Sequence, residues 1–314
     1  MEQLDQASNL RRIARERERG GAAVLERGTV EQEMQEEQQP TQTTRIISVT
    51  SGKGGVGKTT VSVNLAISLA RTGKKVLLFD GDLGLANINV LLGIIPEHNI
   101  YEVLKGRKRL QDIIIKTSYG IDIIAGANGI SQLADLNEAQ RENFLQGLQE
   151  LSGYDIMLID TGAGVGANVI GLVLPADEIL VITTPEPTAI TDAYGMIKSV
   201  VSHGPSGKIK LIVNRVPDAG EAKLVADRLI SISNQFLKAR IENLGFIFEE
   251  ASVQKSIRSQ RPYVVLYPAA KSSACIKHIA ARLVNAPFEE DSAGIYGFFQ
   301  KFLNLGNLGT RREE

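Results

Sequence analysis

Between a short apolar run and an amphipathic segment lies Gly52-Lys53-Gly54-Gly55-Val56-Gly57-Lys58-Thr59, which satisfies G-x-x-x-x-G-K-[ST]. Glycines in such a loop let the backbone turn with its N–H groups inward. Lys58 then reaches β- and γ-phosphates, and the Thr59 hydroxyl is placed to hold Mg²⁺ at the start of a helix whose dipole favours anions. Gly52, Gly54, Gly55, Val56, Gly57, Lys58, Thr59 and Thr60 therefore form a cradle for a nucleoside triphosphate. The chemistry it serves is phosphoryl transfer.

Two further apolar runs end in carboxylates. Val76-Leu77-Leu78-Phe79 is followed by Asp80-Gly81-Asp82, and Ile156-Met157-Leu158-Ile159 by Asp160-Thr161-Gly162. Ligands of open α/β sheets sit beyond the carboxyl ends of the strands, so acids there are candidates for metal and water chemistry. The second run has the Walker B form, an Asp able to hold Mg²⁺ and a Gly able to approach a γ-phosphate. A lone aspartate after a strand is often only a helix cap. Three of them in register with a phosphate loop are not explained that way. His98, His203 and His278 are scattered, and phosphoryl transfer needs no histidine or cysteine nucleophile. Asn214-Arg215 and the Thr184-Pro185-Glu186-Pro187-Thr188 turn close two more strands, and both could be ordinary turns. No N-K-x-D guanine signature is found, which favours ATP over GTP.

The elements that must position these groups are read from periodicity. Strands are expected at 45–50, 75–80, 121–125, 155–160, 178–183, 208–214 and 244–248. Most are continuous apolar runs, as in strands buried on both faces. Helices are expected at 58–71, 137–151, 189–202, 218–240 and 272–285. Alternating in this way, they predict an α/β fold, a single doubly wound, mostly parallel sheet with helices on both faces, spanning 45–287. Residues 1–44 carry a run of arginines and then glutamates with few large apolar side chains, and read as a mobile extension. Residues 288–314 read as a separate tail.

Composition excludes several classes. The 314 residues carry 35 Lys+Arg against 36 Asp+Glu, a formal charge of −1, which argues against nucleic acid as a bulk electrostatic partner. A single cysteine cannot build an internal disulfide, a cysteine-rich zinc site or an iron–sulfur pair. No apolar run approaches the length of a membrane span, so a cytoplasmic location is expected.

The loop G-K-G-G-V-G-K-T resembles the deviant Walker A motif of the MinD/ParA ATPases, P-loop NTPases of the SIMIBI class. The resemblance implies that Lys53 crosses a dimer interface to the partner's nucleotide. It also implies that 80–87 (D-G-D-L-G-L-A-N) is switch I and 160–162 is switch II. In that family's terms Asp82 positions or activates the attacking water, and Thr59, Asp80 and Asp160 surround Mg²⁺. The resemblance likewise implies a catalytic set of Lys53, Lys58, Asp82 and Asp160, with Asn214 and Arg215 contacting adenine and the 184–188 turn supporting it. ATP and Mg²⁺ are the implied cofactors, with slow hydrolysis in a two-fold dimer.

The two ends narrow this further. Ile295, Phe298, Phe299, Phe302 and Leu303 fall at i, i+3, i+4, i+7 and i+8, one apolar arc of a helix. That arc either docks on its own domain or lies in a lipid interface. A terminal membrane-targeting helix is also found in MinD-type proteins, which implies reversible attachment to the inner face of the cell membrane when ATP is bound. Asp5-Gln6-Ala7-Ser8-Asn9-Leu10-Arg11 resembles the D-Q-A-x-x-L-R motif of the family's flagellar branch (FlhG, FleN, YlxH). There, Asp5, Gln6, Ala7, Leu10 and Arg11 would contact an FlhF-type signal-recognition-particle GTPase and stimulate it. Flagellar C-ring or transcriptional-regulator proteins are further implied partners. A septum-site or DNA-positioning ATPase is the alternative, and a dethiobiotin-synthetase-like enzyme a remoter one.

Overall fold

The computed structural model describes residues 43–82, 87–126, 137–151, 153–286 and 293–310. The motif at Asp5 to Arg11 lies outside them, as does most of the switch I segment after Asp82. In chain order the strands are β1 (Arg45–Ser51), β2 (Val76–Gly81), β3 (Ile114–Lys116), β4 (Asp122–Ile124), β5 (Ile156–Ala163), β6 (Glu178–Thr183), β7 (Lys208–Val216) and β8 (Ile241–Phe248). The α-helices are α1 (Lys58–Ala70), α2 (Asn87–Leu92), α3 (Ile100–Leu104), α4 (Glu138–Gln149), α5 (Ala167–Val173), α6 (Pro187–Ser202), α7 (Ala219–Leu237), α8 (Ala251–Arg258), α9 (Tyr263–Leu266), α10 (Lys271–Asn285) and α11 (Gly294–Thr310).

The strands form one sheet in the order β3-β4-β2-β5-β1-β6-β7-β8. Every pairing is parallel except β3 on β4. The expected doubly wound sheet is therefore present. β3 was not expected, because its three residues are too few to show a period and pair only through a tight return to β4.

Alternation explains the continuous apolar runs. Ile46, Leu77, Phe79, Met157, Ile159 and Val181 enter one core, while Ile47, Val49, Leu78, Leu158, Leu180 and Ile182 enter the other. Both sets are buried, so the central strands carry apolar residues at consecutive positions. α1 and α10 cover the second face, and α4 to α7 cover the first.

The separate C-terminal tail needs correction. α11 packs against α4, α5 and β1, and the arc Ile295, Phe298, Phe299, Phe302 and Leu303 is buried in the first core. Phe299 makes edge-on contacts with Phe79 at 5.5 Å and Phe144 at 5.4 Å, with Phe298 and Phe302 closing the same cluster. Gly171 of α5 is the socket for Phe302, since a Cβ there would stand 3.1 Å from the ring. Of the two ways to cover the arc, this structure takes docking on its own domain. The physical reason is that Phe79 of β2 and Phe144 of α4 offer an apolar surface that would otherwise face water.

Candidate nucleotide site

β1 is the central strand, with β5 on one side and β6 on the other, and the chain reverses its winding there. The 52–59 loop leaves β1 at this switch point, where a crevice opens beyond the strand ends. Glycine is required at two positions for different reasons. Gly57 caps α1 in the left-handed region (φ 92°), and a Cβ on it would meet the Asn214 amide nitrogen at 2.5 Å. A Cβ on Gly52 would lie 2.0 Å from the Asp192 carbonyl oxygen of α6. The loop is thus pressed between β7 and α6 and cannot be rebuilt with larger residues.

Lys58, on the first turn of α1, is buried and donates to Asp160 Oδ1 at 3.2 Å. Ser62, one turn on, donates to the same oxygen at 2.8 Å. Asp160 is completely buried, and its second oxygen, Oδ2, has no hydrogen-bond partner. A buried carboxylate oxygen left without a donor costs free energy that a metal-bound water or a metal would recover. Thr59 stands half-buried at the adjacent position on α1. These donors fit a Mg²⁺-bound triphosphate: an ammonium for phosphate, a hydroxyl, and a spare carboxylate oxygen at the strand end.

Asp80 ends β2 beside Asp160, in register with it across the two strands. Burial, and then the charge of Asp160, push its carboxyl up to about 7. Two backbone donors oppose that shift: Asp82 N–H reaches Asp80 Oδ1 at 3.2 Å and Ile88 N–H reaches Oδ2 at 3.4 Å. Asp80 therefore ties the two ends of the 82–88 segment together. Asp82 itself is half-buried and accepts from the Asn87 amide at 3.4 Å. A Cβ on Gly162 would come within 3.6 Å of Asp82 Oδ1, so the ends of β2 and β5 face each other there.

Lys53 lies outside this cluster. Its ammonium donates to Glu186 Oε2 at 2.9 Å and Thr188 Oγ1 at 2.8 Å, at the start of α6, and remains partly exposed. Hydrogen bonding to Lys53, and then its charge, hold the Glu186 carboxyl below the usual range. The 184–188 turn, expected to support adenine, here holds Lys53. Asn214 donates its amide to Val56 O at 2.8 Å and so braces the loop. Arg215 sits at φ 56°, a left-handed conformation uncommon outside glycine.

A cavity of about 140 Å³ opens beside Gly57 and Thr60. Asn214 and Arg215 line it, and so do Ile247, Phe248, Glu249 and Glu250 at the end of β8, Val253 of α8, and Tyr263 of α9. The β8 and α8 residues were missed in the sequence. The rule that ligands sit beyond strand ends, applied to 244–248 as it was to the others, would have found them.

Known proteins resemble the chain throughout this region. The family described as an AAA domain matches residues 44–204. The antiactivator FleN of Pseudomonas aeruginosa is 35% identical over 256 residues, covering 81% of this chain and 91% of that protein. The flagellum site-determining protein YlxH of Helicobacter pylori is likewise 35% identical, covering 83% of this chain and 90% of its own length. The chain belongs to the MinD/ParA family of P-loop ATPases. A solved structure of the family, the septum site-determining protein MinD of Pyrococcus horikoshii OT3 complexed with Mg-ADP, matches with a TM-score of 0.62 at 27% identity. It covers 77% of this chain and 96% of its own. A Mg²⁺-nucleotide in that MinD/ParA relative agrees with the spare Asp160 oxygen and the loop that requires glycine at 52 and 57.

Proposed function

We propose that this protein is an ATP-dependent switch: two copies pair around two ATP·Mg²⁺, hydrolyse them slowly, and regulate flagellar number and placement. The observation that carries the reading is the Lys58–Asp160 contact with its spare oxygen, at the mouth of a loop that only glycine can form. The flagellar output is supported by the FleN and YlxH relatives.

In this reading Lys58 exchanges Asp160 for phosphate oxygens, and Thr59 and Asp160 hold Mg²⁺ with Asp80 behind them. The metal supplies charge neutralisation on the phosphates. Asp82, beside Gly162, orients the attacking water. Lys53 leaves Glu186 and Thr188 for the partner copy's phosphates. Positioning and charge stabilisation supply the rate, since phosphoryl transfer asks for little covalent chemistry.

Membrane attachment, the inner-face location and partner stimulation complete the proposal. The apolar arc of α11 cannot face lipid and Phe79 at once, so attachment requires α11 to leave its groove. Each such side chain contributes roughly 1.5–3 kcal/mol on burial in either place. The two states therefore compete on similar terms, and pairing of two copies adds avidity to the lipid-bound one. The Asp5 to Arg11 motif would contact and stimulate an FlhF-type GTPase, with C-ring or transcriptional-regulator proteins as further partners.

The test is sizing in ATP·Mg²⁺. Asp82→Ala should accumulate as a dimer, and Lys53→Ala should stay monomeric. An Asp82→Ala protein that elutes only as monomer refutes the switch.

A further inference from the structure

Tyr263 is among the largest fully buried side chains, 1% exposed, yet its hydroxyl has no hydrogen-bond partner. A buried, unsatisfied O–H costs about 1–3 kcal/mol. Phenylalanine would fill the same apolar space between α1 and α10 without that cost. The nearest carboxylate does not relieve it. Glu250 accepts from Ser272 N–H at 2.6 Å and Lys271 N–H at 3.3 Å, one donor to each oxygen at the start of α10, and makes no hydrogen bond to Tyr263.

The same tyrosine lines the cavity beside the phosphate loop, together with Gly57, Thr60, Asn214 and Arg215. Burial, then the neighbouring Cys275 and Glu250, disfavour the phenolate, so the group is a neutral donor in search of an acceptor. The cavity adjoins the start of α1, where a nucleotide whose phosphates occupy the 52–59 loop would extend its base. Its lining also includes Ile247, Val253 and Ile257, which offer apolar contact, and Glu249, Glu250 and Gln254, none of which is hydrogen-bonded to the Tyr263 hydroxyl.

We propose that Tyr263 is a base-reading residue: its hydroxyl donates to a ring nitrogen of adenine seated in this cavity. The proposal rests on the nucleotide reading above and deepens it, adding a reader beside Asn214, one of whose amide N–H groups goes to Val56 O. The donor is unpartnered in the nucleotide-free protein, and a base in the cavity would supply its acceptor. Base binding thereby gains a hydrogen bond that the empty protein lacks.

The experiment is Tyr263→Phe in the full chain, with ATP, ADP and inorganic tripolyphosphate competed against a fluorescent nucleotide in Mg²⁺. The expected result is about tenfold weaker ATP and ADP, the equivalent of roughly 1.4 kcal/mol. Tripolyphosphate should be unchanged, and the nucleotide-free protein should melt no lower than the parent. Among 1-deaza-, 3-deaza- and 7-deaza-ATP, one analogue should bind the parent as weakly as ATP binds the variant, and should be insensitive to the substitution. ATP affinity within twofold of the parent overturns the proposal. Equal loss of tripolyphosphate overturns it too, since the phosphate loop would then be what was disturbed. If the parent itself binds tripolyphosphate but neither ATP nor ADP more tightly, the adenine reading falls along with it.

Discussion

Gly171 offers a way to loosen α11 without touching the nucleotide or the apolar arc. In Gly171→Ala the new Cβ would lie 3.1 and 3.2 Å from Cε2 and Cδ2 of Phe302, closer than carbon atoms normally pack. Overpacking of this kind costs about 1–3 kcal/mol. Within α5 itself, alanine is favoured over glycine by up to about 1 kcal/mol. The two effects oppose each other in global unfolding, but only the first acts on docking of α11. The ratio of docked to undocked helix should fall about 5- to 150-fold, at roughly 1.4 kcal/mol per decade. Amide exchange over 294–310 in the nucleotide-free protein should speed by that factor, and co-sedimentation with anionic liposomes should rise without ATP. With 292–314 deleted the clash disappears, so the same substitution should then stabilise the domain. Unchanged exchange over 294–310 in the full chain refutes Gly171 as the socket that holds the helix. Faster exchange with no gain in lipid binding would separate undocking from attachment and remove the membrane from the proposed switch.

Two other outcomes are expected. The Asp80 carboxyl has an ordinary value of 3.8 in the unfolded chain and about 7 in the fold. The native state therefore holds a proton that the unfolded state has released across that window, so this group makes stability fall as pH rises from about 4 to 7. In Mg²⁺- and nucleotide-free protein, Asp80→Asn should flatten that part of the urea-midpoint profile, and an unaltered slope would count against burial as the cause. Deleting residues 1–20 should abolish stimulation of GTP turnover by an FlhF-type GTPase while ATP binding persists. Stimulation that survives the deletion would take the Asp5 to Arg11 motif out of the mechanism.

Much of this molecule is legible because its signals are local. The phosphate loop must be glycine where φ is positive or a Cβ would strike Asn214 or Asp192, so the motif shows directly in the chain. The apolar runs before Asp80 and Asp160 follow from strands covered on both faces, and the acids mark where those runs meet the crevice. The antiparallel β3 carries no such mark. Three residues hold no period, and only β4 makes them a strand.

Contacts between distant segments were decided by tertiary structure alone. Spacing shows that Lys53 is spare to the general phosphate loop, but not that Glu186 and Thr188, over 130 residues on, would hold it. A tyrosine in an apolar stretch reads as core, and only the fold reveals that its hydroxyl is unsatisfied beside a cavity. The arc from Ile295 to Leu303 is the clearest case. Periodicity establishes that one face of α11 must be covered, because exposing five large apolar side chains to water is costly. It cannot say by what, since burial energy is non-directional and a lipid interface and the Phe79–Phe144 groove satisfy the same pattern.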